Sequence, residues 1–184
     1  MKLVVGLGNP GERYIHTRHN IGFRIVEQLL EDPSWRTISG VNAFVVKTIL
    51  EGEDVVCVLP QTYMNLSGVA VEKLLSWYKI DVSDTIVVHD ELDLEFGRIQ
   101  VRKGGGDAGH NGVKSLIEHI GGDFIRVRVG IGRPENLIPV EHYVLEKFSE
   151  KENAMLPEVI SQSVDKMKRL LKYSYDEFIS KHNG

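Results

Sequence analysis

The chain has little cysteine. Its 184 residues include a single one, Cys57, set in the apolar run Val55-Val56-Cys57-Val58-Leu59. One thiol excludes a disulfide framework within the chain and fits a reducing compartment. Nothing beside Cys57 would stabilise a thiolate, so a buried structural thiol is expected rather than a nucleophile. Long hydrophobic runs are also lacking. No segment approaches the roughly 18 apolar residues of a membrane span, and no basic N-terminal region precedes a long apolar stretch. Neither secretion nor membrane insertion is expected, and a cytoplasmic location follows. There is no internal repeat, low-complexity tract or linker. What remains is the composition of an ordinary globular protein, 42% hydrophobic and 26% charged, with enough chain for one buried core.

Charge is scarce overall but uneven. The net charge is −4, which by itself argues against a nucleic-acid partner. Between Arg98 and Arg133, however, seven basic residues (Arg98, Arg102, Lys103, Lys114, Arg126, Arg128, Arg133) face three acids (Asp107, Glu118, Asp123). Such asymmetry suits an anionic ligand met on one face, or simply a solvated charged surface.

Hydrophobic periodicity alternates strands with helices. Strands are expected at Lys2 to Leu7, Phe44 to Leu50, Val55 to Leu59, Thr85 to Val88, Arg98 to Arg102 and Phe124 to Ile131, the last alternating in pattern. The second and third flank Glu51-Gly52-Glu53-Asp54 as a hairpin. Helices are expected from Asn20, as cap, to about Leu30, and from Asn65 or Ser67 to Tyr78. Further helices are expected over Asn111 to Ile120, Glu150 to Tyr173 (with Pro157 as a possible early break) and Asp176 to Lys181. This alternation argues for an α/β fold over residues 1–184, a single domain with a mixed β-sheet. In open sheets of this type, ligands bind beyond the carboxyl ends of the strands.

The polar residues cluster there. The first strand ends in Gly6-Leu7-Gly8-Asn9-Pro10-Gly11, which matches a dinucleotide-binding glycine pattern. That pattern requires a helix starting within the turn and an acid about 20 residues on at the end of a second strand. Here a dozen residues intervene before the first helix, and the nearest acids, Glu27 and Glu31, lie in or at the end of that helix. What the turn does place at a strand end is Asn9. With "TRHN", "TYMNLSG", "HDELD" and "GHNG" the loops offer Asn9, His19, Asn20, Asn65, His89, Asp90, His110 and Asn111. Singly, each has a plain role: Asn65 and Asn111 as helix caps, Asn9 as a turn residue, His89 as a satisfied strand histidine. Jointly they define a chemistry. Histidine is suited to proton transfer near neutral pH, and a carboxylate on one ring nitrogen leaves the other as base. His19 with Asp90 would make that pair. No serine sits in a nucleophile elbow, so the agent is a water activated by histidine, with asparagine amides to orient it or to donate to a developing oxyanion. A metal is the alternative. Asp90, Glu91, Asp93 and Glu95 are dense acids and His16 and His19 lie three apart, but neither a calcium loop nor a zinc ligand set is complete.

The segments "VGLGNPGERYIHTRHNIGF", "PQTYMNLSG", "HDELDL", "KGGGDAGHNGVKSL", "FIRVRVGIGRP" and "VEHYVLEKF" resemble, in order and from about residue 1 to 180, the bacterial-type peptidyl-tRNA hydrolases. One departure is Glu95-Phe96 after "HDELDL", where the family usually has a proline. The resemblance implies a twisted mixed β-sheet surrounded by α-helices, of the phosphorylase/hydrolase-like kind, and hydrolysis of the ester between a peptide and the 3′ ribose of tRNA, by a monomer without cofactor or metal. It implies His19 as general base and Asp90 as its orienting partner. It further implies Asn9, Asn65 and Asn111 as substrate-positioning amides, Met64 as lining of the peptide groove, and Tyr14 and His110 as lining of the site near the tRNA end. Lys103 and Arg133 resemble tRNA phosphate contacts, although Arg133 could instead pair with a neighbouring carboxylate. A non-catalytic RNA-binding paralogue of the same fold is the alternative function, and a nucleotide-dependent oxidoreductase a third.

Overall fold

Strand β1 (Lys2–Gly6) is buried on both faces and lies at the centre of a seven-stranded sheet. We describe a computed structural model of the chain, covering residues 1–30, 33–135 and 137–182. Glu31, considered above as a ribose acid, lies outside the described residues. The other strands are β2 (Arg36–Ile38), β3 (Val41–Leu50), β4 (Glu53–Pro60), β5 (Thr85–Glu91), β6 (Ile99–Lys103) and β7 (Ile125–Gly130), in the order β2-β3-β4-β1-β5-β7-β6. The four central strands β4, β1, β5 and β7 run parallel, while β2, β3 and β6 pair antiparallel at the edges. The sheet is therefore mixed, with one carboxyl edge shared by all four parallel strands.

The helices are α1 (Ile21–Leu29), α2 (Ser67–Tyr78), α3 (Asn111–Ile120), a short α4 (Val140–Tyr143), α5 (Glu150–Lys172) and α6 (Tyr175–His182). Alternate strand residues feed two cores. Val4, Cys57, Ile86, Val88 and Val127 pack against α1 and α5, whereas Leu3, Val5, Val56, Val58 and Val87 pack against α2 and α3. Both faces being covered explains the apolar runs of the central strands.

Several expectations shift in detail. The strand through Val88 continues to Glu91, because pairing with β7 carries on through Asp90↔Val129 and Glu91↔Gly130. Strand β7 alternates as expected, Ile125, Val127 and Val129 entering the core under α5, yet five of its six residues are buried, because Arg126 on the other face is covered by the Gly105 and Gly106 carbonyls it bonds. Helix α5 runs through Pro157. A proline inside a helix costs about 3 kcal/mol, but Leu156, Val159, Met167, Leu170 and Leu171 are all buried in the core on either side of it. Its start is fixed by a capping box, with the Ser149 side chain accepting from the Glu152 amide and Glu152 accepting from the Ser149 amide. Cys57 is fully buried, and burial pushes its thiol up to about 12.

Candidate active site

The loops that leave the carboxyl edge carry the polar residues, and one close approach sets their spacing. A Cβ on Gly22 would lie 2.4 Å from the Val88 carbonyl oxygen and 2.7 Å from the Leu7 backbone. Only glycine lets the first turn of α1 rest on the ends of β1 and β5, and this places the preceding 3₁₀ turn, Arg18–Asn20, directly over Asp90. The turn is held from the other side as well. The Arg18 and His19 amides donate to the Glu146 and Val144 carbonyls at 3.0 and 2.8 Å. The buried Arg18 guanidinium donates to Glu152 at 2.9 Å and lies 4.1 Å from the centre of the Tyr143 ring. Tyr143 in turn donates its hydroxyl to the Ile131 carbonyl. Sequence reasoning missed this clamp, because nothing in "TRHN" marks the arginine as a buried anchor.

His19 and Asp90 meet as expected. His19 Nδ1 lies 3.0 and 2.9 Å from the two Asp90 carboxylate oxygens. Asp90 is 2% exposed. Burial alone would push its carboxyl up, but the attraction of His19 and His110 and their hydrogen bonds together hold it well below the usual carboxylate range. An ionised carboxylate only accepts, so His19 donates through Nδ1, and Nε2 is the ring nitrogen left for other partners. His19 Nε2 has no hydrogen-bond partner among the described residues.

The second Asp90 partner is His110, whose Nε2 lies 2.8 Å from Asp90 Oδ1. His110 Nδ1 accepts from the Gly112 and Val113 amides at 3.1 and 3.3 Å, capping α3. His89 packs its ring edge-on to His110 at 4.9 Å between centroids and donates Nδ1–H to the Asp90 carbonyl at 2.7 Å. Its Nε2 is buried without a partner. Burial, and then the neighbouring His110, lower His89 to about 3 against the pull of Asp90, so it is neutral.

Asn9 is buried and fixed on three sides. Its amide donates to Asn20 Oδ1 and its carbonyl accepts from Asn20 Nδ2, both at 2.9 Å. Its Oδ1 accepts from the Met64 amide at 2.9 Å. That contact sets the orientation of the side chain, leaving Nδ2 as an uncommitted donor. Met64 is buried below α3, with its sulfur in the space that a Cβ on Gly112 would fill. Asn20 occupies the cap position of α1 without capping it, because its side chain is committed to Asn9. Asn65 and Asn111 do not act as caps either. Asn65 sits in the 3₁₀ turn Met64–Leu66, and Asn111 is the first residue of α3 behind the His110 cap. Both are exposed, with no side-chain hydrogen bond among the described residues. Tyr14, in the turn Glu12–Tyr14, is half-buried and is bonded and stacked by Arg13.

His19, Asp90, Glu91, His110, Asn111, Arg133 and Glu141 line one cleft of about 430 Å³. Asn9 and Asn20 head a second, of about 250 Å³, floored by Ile15, Phe23, Phe44 and Leu59. Arg133 pairs with Asp93 at 2.7 to 2.9 Å on the rim. Lys103 is not brought to the cleft. Strand β6 runs antiparallel, and Lys103 pairs with Ile125 at the start of β7, four residues before the partner of Asp90. That is about 13 Å along the strand, and its ammonium lies 3.3 Å from Asp123.

Three of the four dense acids are engaged rather than open, Asp90 by His19 and His110, Glu91 by Arg128 and Asp93 by Arg133. Among the described residues one group brings metal-ligand atoms together: His19, Asp90 and His110. Its carboxylate already accepts a proton-bearing nitrogen from each ring, so the donor set does not fit a cation without rearrangement. The first helix begins at Ile21, ten residues beyond the glycine turn, so no helix N-terminus faces a pyrophosphate there. What the arrangement suits is hydrolysis by a histidine-activated water, with the Asn111 amide in the same cleft and Asn9 heading the second.

Comparison with known proteins agrees with that class. The family model described as peptidyl-tRNA hydrolase matches residues 3–184. A peptidyl-tRNA hydrolase of Oceanobacillus iheyensis is 46% identical over 174 residues, 94% of this chain and 93% of that protein. One of Aliarcobacter butzleri is 43% identical, covering 98% of each chain. The crystal structure of peptidyl-tRNA hydrolase from Acinetobacter baumannii superposes with a TM-score of 0.86 at 38% identity, covering 94% of this chain and 88% of that one. The chain belongs to the peptidyl-tRNA hydrolase family and is a hydrolase of that class.

Proposed function

We propose that this protein hydrolyses peptidyl-tRNA through a water activated by His19. His19 Nε2 takes a proton from water, and the hydroxide attacks the carbonyl carbon joining the peptide to the 3′ ribose. The carbonyl oxygen becomes an oxyanion, stabilised by amide donors of Asn9, Asn65 and Asn111. When the C–O bond breaks, the imidazolium returns its proton to the ribose oxygen. The products are a free peptide carboxylate and a tRNA ready for reuse. Asp90 holds the His19 ring in the tautomer that keeps Nε2 available. The observation that carries this reading is the pair of contacts from His19 Nδ1 to both oxygens of a buried, ionised Asp90.

The apolar floor below Asn9 supplies a groove for the peptide, with Met64 beside it and Tyr14 toward the tRNA end. Lys103 and Arg133 meet tRNA phosphates. Their present partners, Asp123 and Asp93, are exposed ion pairs, worth at most about 1 kcal/mol each and readily exchanged for phosphate. The protein works as a monomer in the cytoplasm, where its single buried thiol stays reduced. Release of N-acetylaminoacyl-tRNA, measured for the wild-type protein with and without chelator, tests the activity. Rapid release in both conditions supports the reading, and tRNA binding without release would contradict it.

A further inference from the structure

We infer that His110 is a positioning residue that acts through Asp90 and sets the proton affinity of the His19 base, rather than a residue that touches substrate. The inference rests on the hydrolytic reading above and deepens it. Its geometry leaves no choice of tautomer. Backbone amides only donate, so His110 Nδ1, facing the Gly112 and Val113 amides, is the unprotonated nitrogen. The proton sits on Nε2 and is donated to Asp90 Oδ1 at 2.8 Å. A proton on Nδ1 would point at two amide hydrogens and at the positive end of the α3 dipole, so the neutral ring takes the Nε2–H tautomer. Helix α3 thus dictates which atom His110 shows to the catalytic carboxylate.

The consequence follows from sharing. Asp90 accepts from His19 and His110 at once. A neutral donor spreads part of the carboxylate charge away from His19, which leaves the His19 imidazolium less strongly stabilised and the unprotonated base more available. The same contact fixes the Asp90 rotamer against rotation about its side chain. The other charged or titratable groups facing this trio are the buried neutral His89 from β5, Glu91 and Arg133 on the walls of the cleft, and Glu141 from α4. Arg126 lies beneath the glycine loop, bonded to the Gly105 and Gly106 carbonyls. With both ring nitrogens engaged inside the protein, His110 has no polar atom left for substrate.

The test is His110→Asn. Asparagine caps helices well, so α3 keeps its N-terminal partner, but the shorter side chain cannot reach Asp90. With N-acetylaminoacyl-tRNA, the acid limb of kcat/KM is expected to move to higher pH by about half a unit to one unit, with KM unchanged. A raised KM with an unmoved acid limb would show a substrate contact instead, and so would overturn the inference. A profile and KM both unchanged would overturn it too. Nitrogen-15 chemical shifts of the wild-type imidazoles provide a measurement independent of the variant and of activity. His110 is expected as the Nε2–H tautomer from about pH 7 to about pH 8, where an ordinary histidine is mostly neutral. A protonated Nδ1 in that range contradicts the proposal, whatever the hydrolysis assay shows.

Discussion

Asn20 grips Asn9 by the backbone on both sides, accepting from its amide and donating to its carbonyl at 2.9 Å each. Two asparagines eleven residues apart thereby behave as one unit, with the Asn9 side chain as its working end. Asn9→Asp keeps the oxygen that accepts from the Met64 amide but replaces the free Nδ2 donor with a carboxylate oxygen. Losing a donor to developing oxyanion charge costs on the order of 10²- to 10³-fold in kcat. Asn20→Ala leaves the Asn9 amide and carbonyl unsatisfied, which costs about 1–3 kcal/mol of stability per buried group. Paired melting and kinetic measurements are expected to show Asn9→Asp slow and stable, and Asn20→Ala both slow and unstable.

Asn65 and Asn111 give a contrasting pattern. Neither caps a helix and both are exposed. Alanine at either position is expected to change stability by less than about 0.5 kcal/mol while lowering kcat on the order of 10²-fold. A lowered melting point with intact kinetics would return them to a structural role.

His89 makes the fold sensitive to mild acid. Its ordinary value of 6.5 falls to about 3 in the folded chain. The unfolded state therefore binds a proton that the folded state refuses, and stability is lost as pH falls through the window from about 6.5 to about 3. The slope from one such group is about 1.4 kcal/mol per pH unit. Asp90 adds a further loss only below the ordinary carboxylate range, since its folded value is depressed. Urea unfolding of the wild type at several pH values is expected to show this slope, and His89→Asn to flatten it between about pH 6 and pH 4.

Lys103 stands far from the chemistry, which makes it a clean probe of the tRNA body. Lys103→Glu is expected to raise KM for full-length substrate with kcat little changed. It is expected to reduce the salt dependence by roughly 0.7 to 0.9 log units per lost phosphate contact. A substrate reduced to the 3′-terminal nucleotide is expected not to notice the change. Equal damage to both substrates would place Lys103 in the fold rather than at the RNA.

Much of this was legible in the sequence because it depends on local pattern. An apolar run ended by glycine and proline marked β1, a hairpin turn marked β4 and a β-branched run marked β5, and the polar loops fell at one sheet edge as the parallel strands require. His19 and Asp90 were expected to pair and do so. What escaped depends on contacts between distant segments. Nothing local shows that Arg18 is buried against Glu152, 134 residues away, or that Asn20 abandons its helix to hold Asn9. His110 lines the cleft as expected, but its bonds to Asp90 and to the α3 amides escaped, because its cap and its carboxylate lie on different elements. The plain reading of His89 was half right, with one ring nitrogen satisfied and the other not. Lys103 and Arg133 belonged to one charge cluster in sequence, but the antiparallel run of β6 carries Lys103 to the opposite edge of the sheet.

The central claim is that His19 Nε2, held by Asp90, is the base. Its most direct test is the release of N-acetylaminoacyl-tRNA by His19→Ala, compared with wild type at saturating substrate and with folding verified by melting. General base catalysis supplies roughly 10²- to 10⁴-fold, so kcat is expected to fall by that factor while tRNA binding persists. Turnover within a few-fold of wild type would contradict the account.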